Sequence, residues 1–122
     1  INSSIRRTYL IAAPGRSAPT WVDFDFFGHQ LSLHLGEPMP NAPTGRVGDK
    51  MVPMPHFGLV LPLAEWQQLA ARVRAAGVEF VLEPQVRFAG APGEQWTMFL
   101  RDPSGNAIEV KGFPTLEGVF AH

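Results

Sequence analysis

The sequence predicts a mixed α+β fold. A clear amphipathic helix stands among short alternating strands, the elements from residue 55 onward run βαβββ, and residues 20 to 35 repeat the end of that order in shortened form.

The helix spans Leu63 to Ala76. Leu63, Trp66, Leu69, Ala70 and Val73 fall on one stripe, while Glu65, Gln67, Gln68, Arg72 and Arg74 take the other side. Pro62 stands just before it and Gly77 just after, the asymmetry expected of helix boundaries. Ahead of it, Pro55 to Leu61 is too short and too bounded by prolines for a helix and reads as a strand. Three further strands follow, Val78 to Leu82, Gln95 to Leu100 and Ala107 to Lys111. The last two are joined by Asp102-Pro103-Ser104-Gly105, whose residues suit a type I turn.

In the first half, Trp21-Val22-Asp23-Phe24-Asp25-Phe26 resembles Trp96-Thr97-Met98-Phe99-Leu100, and each is followed by a glycine turn and an alternating strand. Four positions separate Gly28 from Ser32, as four separate Gly105 from Glu109, so Ser32 takes the place of Glu109. This self-similarity suggests a duplicated module. Ile5, Tyr9, Leu10 and Ala13 make one side of a short helix stopped by Pro14-Gly15, with no convincing strand before it. We therefore expect one domain with a truncated first module over residues 1–35 and a complete second one over 55–122. Residues 36–54, rich in proline and glycine and without periodicity, are expected to be a linker or a lid. Arg46, Asp49 and Lys50 are its candidate ligand contacts, although a solvated crossover is the stronger reading for each of them taken singly.

A chain of 122 residues, 45% apolar and 17% charged, has the composition of a single folded domain. Ten basic and eleven acidic residues give a net charge of -1, and no basic run exceeds Arg6-Arg7. That argues against nucleic acid or an anionic membrane as partner and leaves a small molecule. No apolar stretch is long enough to span a bilayer, and residues 1–7 lack a signal-peptide core, so a cytoplasmic location is the expectation. The first residue is Ile rather than Met, which leaves room for natural sequence upstream. The absence of cysteine leaves imidazole and carboxylate as metal-binding groups. Gly90-Ala91-Pro92-Gly93 lacks the lysine and helix of a phosphate loop, and Ser104 sits in a turn rather than on a nucleophile elbow.

Alternation places Glu109 with Ala107 and Lys111, opposite Ile108 and Val110, and His56 with Gly58 and Val60, opposite Phe57, Leu59 and Leu61. A wet outer face accounts for Glu109 taken alone, and a structural role accounts for a lone His56. Together in one module they are candidate donors of a divalent-metal site, a reading that weighs evenly with the structural one, since a carboxylate within a half-buried strand is costly unless paired or bound to a cation. Gln30, Ser32 and His34 share the face opposite Leu31, Leu33 and Leu35. His34 is the candidate third donor; Gln30 and Ser32 are candidate cavity residues. Trp96 and Met98 are candidates for cavity wall, as are Phe24 and Phe26, for which ordinary core is the stronger reading. His29, in a turn, and the terminal His122 are left outside the site.

Pro55 to Leu61, Ala75-Ala76-Gly77-Val78-Glu79-Phe80 and Phe99 to Glu109 together resemble the vicinal oxygen chelate superfamily. It includes glyoxalase I, extradiol dioxygenases and the bleomycin or fosfomycin resistance proteins. Phe26 to Leu31 and Phe88 to Gln95 are similar to its bacterial extradiol-dioxygenase-like branch. The resemblance implies paired βαβββ modules forming a cup-shaped open barrel, here with the first module incomplete, and a homodimer. It also implies metal ligands on the first strand of each module and the last strand of the second, which makes His56 and Glu109 ligands.

A member of that family also carries a histidine on the first strand of its first module, and residues 1–20 contain none. Three explanations stand: a lost or divergent N-terminus, His34 in its place, or a protein that does not hold metal tightly. The leading expectation is a metal-dependent, extradiol-dioxygenase-like enzyme using Fe(II), with Mn(II) or Zn(II) as alternatives. A metal-free protein that sequesters an aromatic or antibiotic-like molecule, and a glyoxalase-like lyase or isomerase, are the alternatives in function.

Overall fold

The structure, a computed structural model, describes residues 13–37 and 39–121. Among the described residues it is strand-rich with one α-helix, and its sheets are not closed. The chain divides into two compact units, Ile1–Pro38 and Met39–His122. Among the described residues no helix is long and apolar enough to cross a membrane.

In the first unit, β1 (Ala13–Ala18), β2 (Trp21–Phe26) and β3 (His29–His34) form an antiparallel sheet in that order. The β2–β3 connection is a two-residue turn in which Phe27 and Gly28 both have positive φ, 55° and 81°. Such a turn matches the twist of the flanking strands, and the Asp25 carboxylate braces it by accepting from the Gly28 amide at 2.8 Å. The helix expected from Ile5 to Ala13 falls outside the described residues except for Ala13, which begins β1. Pro14 and Gly15, expected to stop a helix, lie within that strand; on an edge the proline's missing donor is tolerated.

In the second unit the segment expected to be a structureless linker carries a hairpin, β4 (Ala42–Val47) and β5 (Lys50–Met54). Its tight turn is Gly48-Asp49, with Gly48 at φ 60°. A glycine-aspartate pair between strand residues is itself a hairpin signal, here masked by the surrounding prolines. The hairpin is tied down at both ends. The Asn41 side chain donates to the Gly105 carbonyl at 2.9 Å, Arg101 donates to the Asn41 side-chain oxygen, and Arg87 donates to the Val47 carbonyl. Val52 and Pro53 are fully buried.

The βαβββ order expected from residue 55 is present: β6 (Phe57–Pro62), α1 (Leu63–Ala75), β7 (Phe80–Arg87), β8 (Gln95–Arg101) and β9 (Ala107–Phe113). The four strands form one sheet in the order β6-β9-β8-β7, with β6 parallel to β9 and the other pairs antiparallel. A short 3-10 turn, Leu116–Phe120, ends the unit.

Helix α1 buries Trp66, Leu69, Ala70 and Val73, each large side chain contributing about 1.5–3 kcal/mol by leaving water. It stops because Gly77 takes φ 71°, letting its amide reach Arg74 O at 3.0 Å and the Val78 amide reach Val73 O at 3.2 Å. Trp66 crosses Gly112, where a Cβ would lie 2.7 Å from the indole Cγ, and donates its Nε1–H to Val110 O at 2.9 Å. The β8–β9 turn is held as expected: the Gly105 amide donates to Asp102 O at 2.9 Å, and the Asp102 carboxylate accepts from the amides of Ser104 and Asn106.

Candidate metal centre

Strand register decides which side chains share a face. Phe99 stands opposite Glu109 and Thr97 opposite Lys111, while Gly58 and Val60 of β6 stand beside Glu109 and Lys111. One face of the sheet therefore carries Gly58, Val60, Thr97, Phe99, Glu109 and Lys111. The other carries Leu59, Leu61, Trp96, Met98, Ile108 and Val110. Trp96 and Met98, expected to wall a cavity beside Glu109, thus lie on the opposite face. Met98 is fully buried with Val110, and Trp96 pairs with Gly112 where Trp66 of the helix packs. Apolar character put them inside the protein; register put them on the helix side.

His56 and Glu109 come together. The imidazole Nε2 lies 3.4 Å from Oε2 of the carboxylate, and both side chains are largely buried. Close approach of the strands makes this possible: a Cβ at Gly58 would sit 1.8 Å from the Glu109 carbonyl oxygen. The ring also stands edge-on to Phe99, with centroids 5.1 Å apart.

His56 Nδ1 lies 2.7 Å from the carbonyl oxygen of Pro53. A carbonyl only accepts, so Nδ1 carries a proton and donates it. In the neutral imidazole, Nε2 then presents a lone pair to a carboxylate oxygen. Two lone pairs at that distance repel unless a cation lies between them, either a proton on Nε2 or a metal ion. A carbonyl behind the distal nitrogen is the usual way a metal-binding histidine is oriented. The hairpin thus has a role at the site, since its last strand supplies the Pro53 carbonyl.

Glu109 has two further neighbours that sequence reasoning did not single out. The Thr97 hydroxyl, wholly buried, donates to Oε1 at 2.9 Å, and the Lys111 ammonium lies 3.8 Å from Oε2. Thr97 is accessible to alternation once the turn fixes the register. Alternation also places Lys111 on the correct face, but gives it no role.

The remaining candidates lie in the first unit. Ser32, Gln30 and His34 share a face with Asp23, Asp25 and Trp21, opposite Val22, Phe24 and Phe26, in agreement with alternation. Phe26 is buried, and His34, paired with Trp21, is exposed. Counted by paired positions from the turn, Ser32 is the fourth residue of its strand and Glu109 the third, because the two turns differ in length. Ser32 donates to Asp23 Oδ1 at 2.6 Å, and Arg16 lies 3.2 Å from Oδ2. The Ser32 bond, aided by Arg16 and Gln30, holds the buried Asp23 carboxyl below its ordinary value of 3.8 against the opposing effect of burial. Gln30 lines an open depression of about 360 Å³ with Arg16, Asp23, Asp25 and His29 among others. Among the described residues no group of three or more His, Asp or Glu side chains gathers to hold a metal. The donor set at the centre is a pair, His56 and Glu109.

The sequence profile described as the glyoxalase/bleomycin resistance protein/dioxygenase superfamily matches residues 10–110. Among solved structures, one titled glyoxalase/bleomycin resistance protein/dioxygenase from Alicyclobacillus acidocaldarius is 27% identical, with a TM-score of 0.77, covering 97% of this chain and 85% of that one. The fosfomycin resistance protein FosX from Listeria monocytogenes has the same fold. A mutant form of it, complexed with Mn(II) and 1S,2S-dihydroxypropylphosphonic acid, is 18% identical with a TM-score of 0.60, covering 96% of this chain and 82% of that one. A protein from the mobile metagenome of V. Pseudocholerae, 22% identical with a TM-score of 0.58, covers 93% of this chain and 84% of its own. No curated protein sequence matches the chain.

Proposed function

Because the chain belongs to the glyoxalase/bleomycin resistance protein/dioxygenase superfamily, we propose that it is a metal-dependent enzyme acting on a small molecule with two adjacent oxygens. His56 and Glu109 would hold the metal. The observation that carries this reading is the pair itself: an imidazole fixed through Nδ1 by Pro53 O, with Nε2 facing a carboxylate oxygen at 3.4 Å.

Nitrogen and carboxylate donors suit Fe(II), Mn(II) and Zn(II) alike. Fe(II) with extradiol-dioxygenase-like chemistry is our preferred assignment, and the Mn(II) complex of FosX shows a divalent ion in a protein of this fold. When bound, such an ion polarises the substrate's oxygens and lowers their pKa. The protein orients the two donors. Thr97 holds one carboxylate oxygen, Pro53 holds the imidazole, and Phe99 packs against the ring. A homodimer is proposed as the working assembly.

The test is metal analysis of protein purified without chelator, followed by His56→Ala and Glu109→Ala. One equivalent of divalent metal is expected, with affinity lost in both variants. Wild-type protein that takes up no stoichiometric divalent ion sinks the proposal. The rival is a metal-free binding protein, compatible with a donor set of two side chains, His56 and Glu109. It predicts thermal stabilisation by organic ligands in the presence of chelator.

A further inference from the structure

Resting on that reading of the site, we propose that Lys111 is a specificity residue and that the substrate carries a negatively charged group, such as a carboxylate, beside its adjacent oxygens. The Lys111 ammonium lies 3.8 Å from Glu109 Oε2, on the same face of the sheet, with a third of its side chain exposed. It is flanked by the part-exposed Val60 on β6 and by Thr97 on β8.

The charges around Glu109 decide what Lys111 does. With His56 neutral, one carboxylate and one ammonium sum to about zero. A divalent cation held by His56 and Glu109 would compete with Lys111 for the carboxylate and would raise the local charge to two positive. The other oxygen, Oε1, accepts from the buried Thr97 hydroxyl at 2.9 Å. With the metal held, Lys111 would share its carboxylate with a second cation, and a ligand carrying two negative charges would balance the arrangement. A deprotonated vicinal oxygen supplies one. A second anionic group, lying against Lys111, supplies the other, while Val60 offers apolar contact to the carbon skeleton. A neutral diol leaves the ammonium uncompensated. The same charges mean that Lys111 weakens metal binding in the absence of ligand.

The experiment uses the full chain loaded with Mn(II) and three probes that share one chelating pair: catechol, 2,3-dihydroxybenzoate and 3,4-dihydroxybenzoate. Affinities are measured by calorimetry for wild type, Lys111→Met and Lys111→Arg, with circular dichroism to confirm folding. Wild type is expected to prefer a dihydroxybenzoate over catechol by about tenfold. Lys111→Met should abolish the preference while binding Mn(II) at least as tightly, and Lys111→Arg should retain it. An unchanged preference in Lys111→Met, or no preference in wild type, overturns the inference and leaves the metal site standing. Folded wild-type protein that binds no Mn(II) overturns the metal site and this inference with it.

Discussion

Thr97 and Glu109 are diagonal neighbours on adjacent strands, and the buried Thr97 hydroxyl donates to Glu109 Oε1 at 2.9 Å. The bond fixes the rotation of the carboxylate and so decides which oxygen faces His56.

Thr97→Val keeps the shape of the side chain and removes that donor. We expect a loss of about 1–3 kcal/mol in urea unfolding, since a buried acceptor is left without its partner. Divalent-metal affinity should fall by about tenfold or more, the usual effect of removing a residue that orients a ligand. Thr97→Ser, which keeps the hydroxyl, should recover most of the affinity.

At Gly58, β6 runs so close to β9 that a would-be Cβ lies 1.8 Å from the Glu109 carbonyl oxygen. The obstacle is backbone, so it cannot rotate aside. Gly58→Ala should force the strands apart and cost about 1–3 kcal/mol or more, read as a lower melting temperature. The shift also moves His56 away from Glu109, so metal affinity should drop by more than the loss of stability explains.

On the other face, Trp66 and Gly112 form a matched pair. Trp66→Phe removes the Nε1–H that satisfies Val110 O and leaves a gap over Gly112. The expected cost is about 1–3 kcal/mol, measured by chemical denaturation. Metal binding should change little, because the indole packs on the side of the sheet away from Glu109.

These contacts show what was legible in the sequence. The helix was readable because Trp66, Leu69, Ala70 and Val73 repeat at its period and Gly77 ends it. The faces of β6 and β9 were readable because each alternates cleanly, which put His56 and Glu109 on one side. Trp96 and Met98 were misplaced because large apolar side chains alone pointed to a cavity wall, although β8 alternates: Gln95, Thr97, Phe99 and Arg101 share the face of Glu109, and Trp96, Met98 and Leu100 take the other. The β4–β5 hairpin was missed because its prolines and glycines hid two short strands. Its contribution to the site is a backbone carbonyl, that of Pro53, and no side-chain pattern marks a carbonyl.

In the first unit, Asp23 gives a pH prediction. The Ser32 hydroxyl bond chiefly, with help from Arg16 and Gln30, lowers its folded pKa below 3.8. A lowered folded pKa contributes stability that is fully present above the unfolded value and is lost as pH falls through the folded one. Stability should therefore lose this contribution below about pH 4. Ser32→Ala removes the largest cause, so the variant should differ most from wild type at neutral pH and converge with it at the acid end. Denaturation curves at pH 7 and in steps below pH 4 measure this.

The geometry of His56 makes a prediction that does not depend on which metal is native. Pro53 O can only accept, so Nδ1 holds its proton in every state in which the 2.7 Å contact persists, and the proton in exchange with solvent is the one on Nε2. Nitrogen-15 spectra of the metal-free protein with the ring neutral should show a protonated Nδ1 and a bare Nε2. Addition of Zn(II), which is diamagnetic, should shift Nε2 strongly while Nδ1 keeps its proton. Glu109→Gln should weaken that response, because the amide presents a poorer donor beside Nε2. A ring protonated at Nε2 and bare at Nδ1, or a Zn(II) shift at Nδ1, would contradict the assignment of Pro53 as the group that orients this histidine.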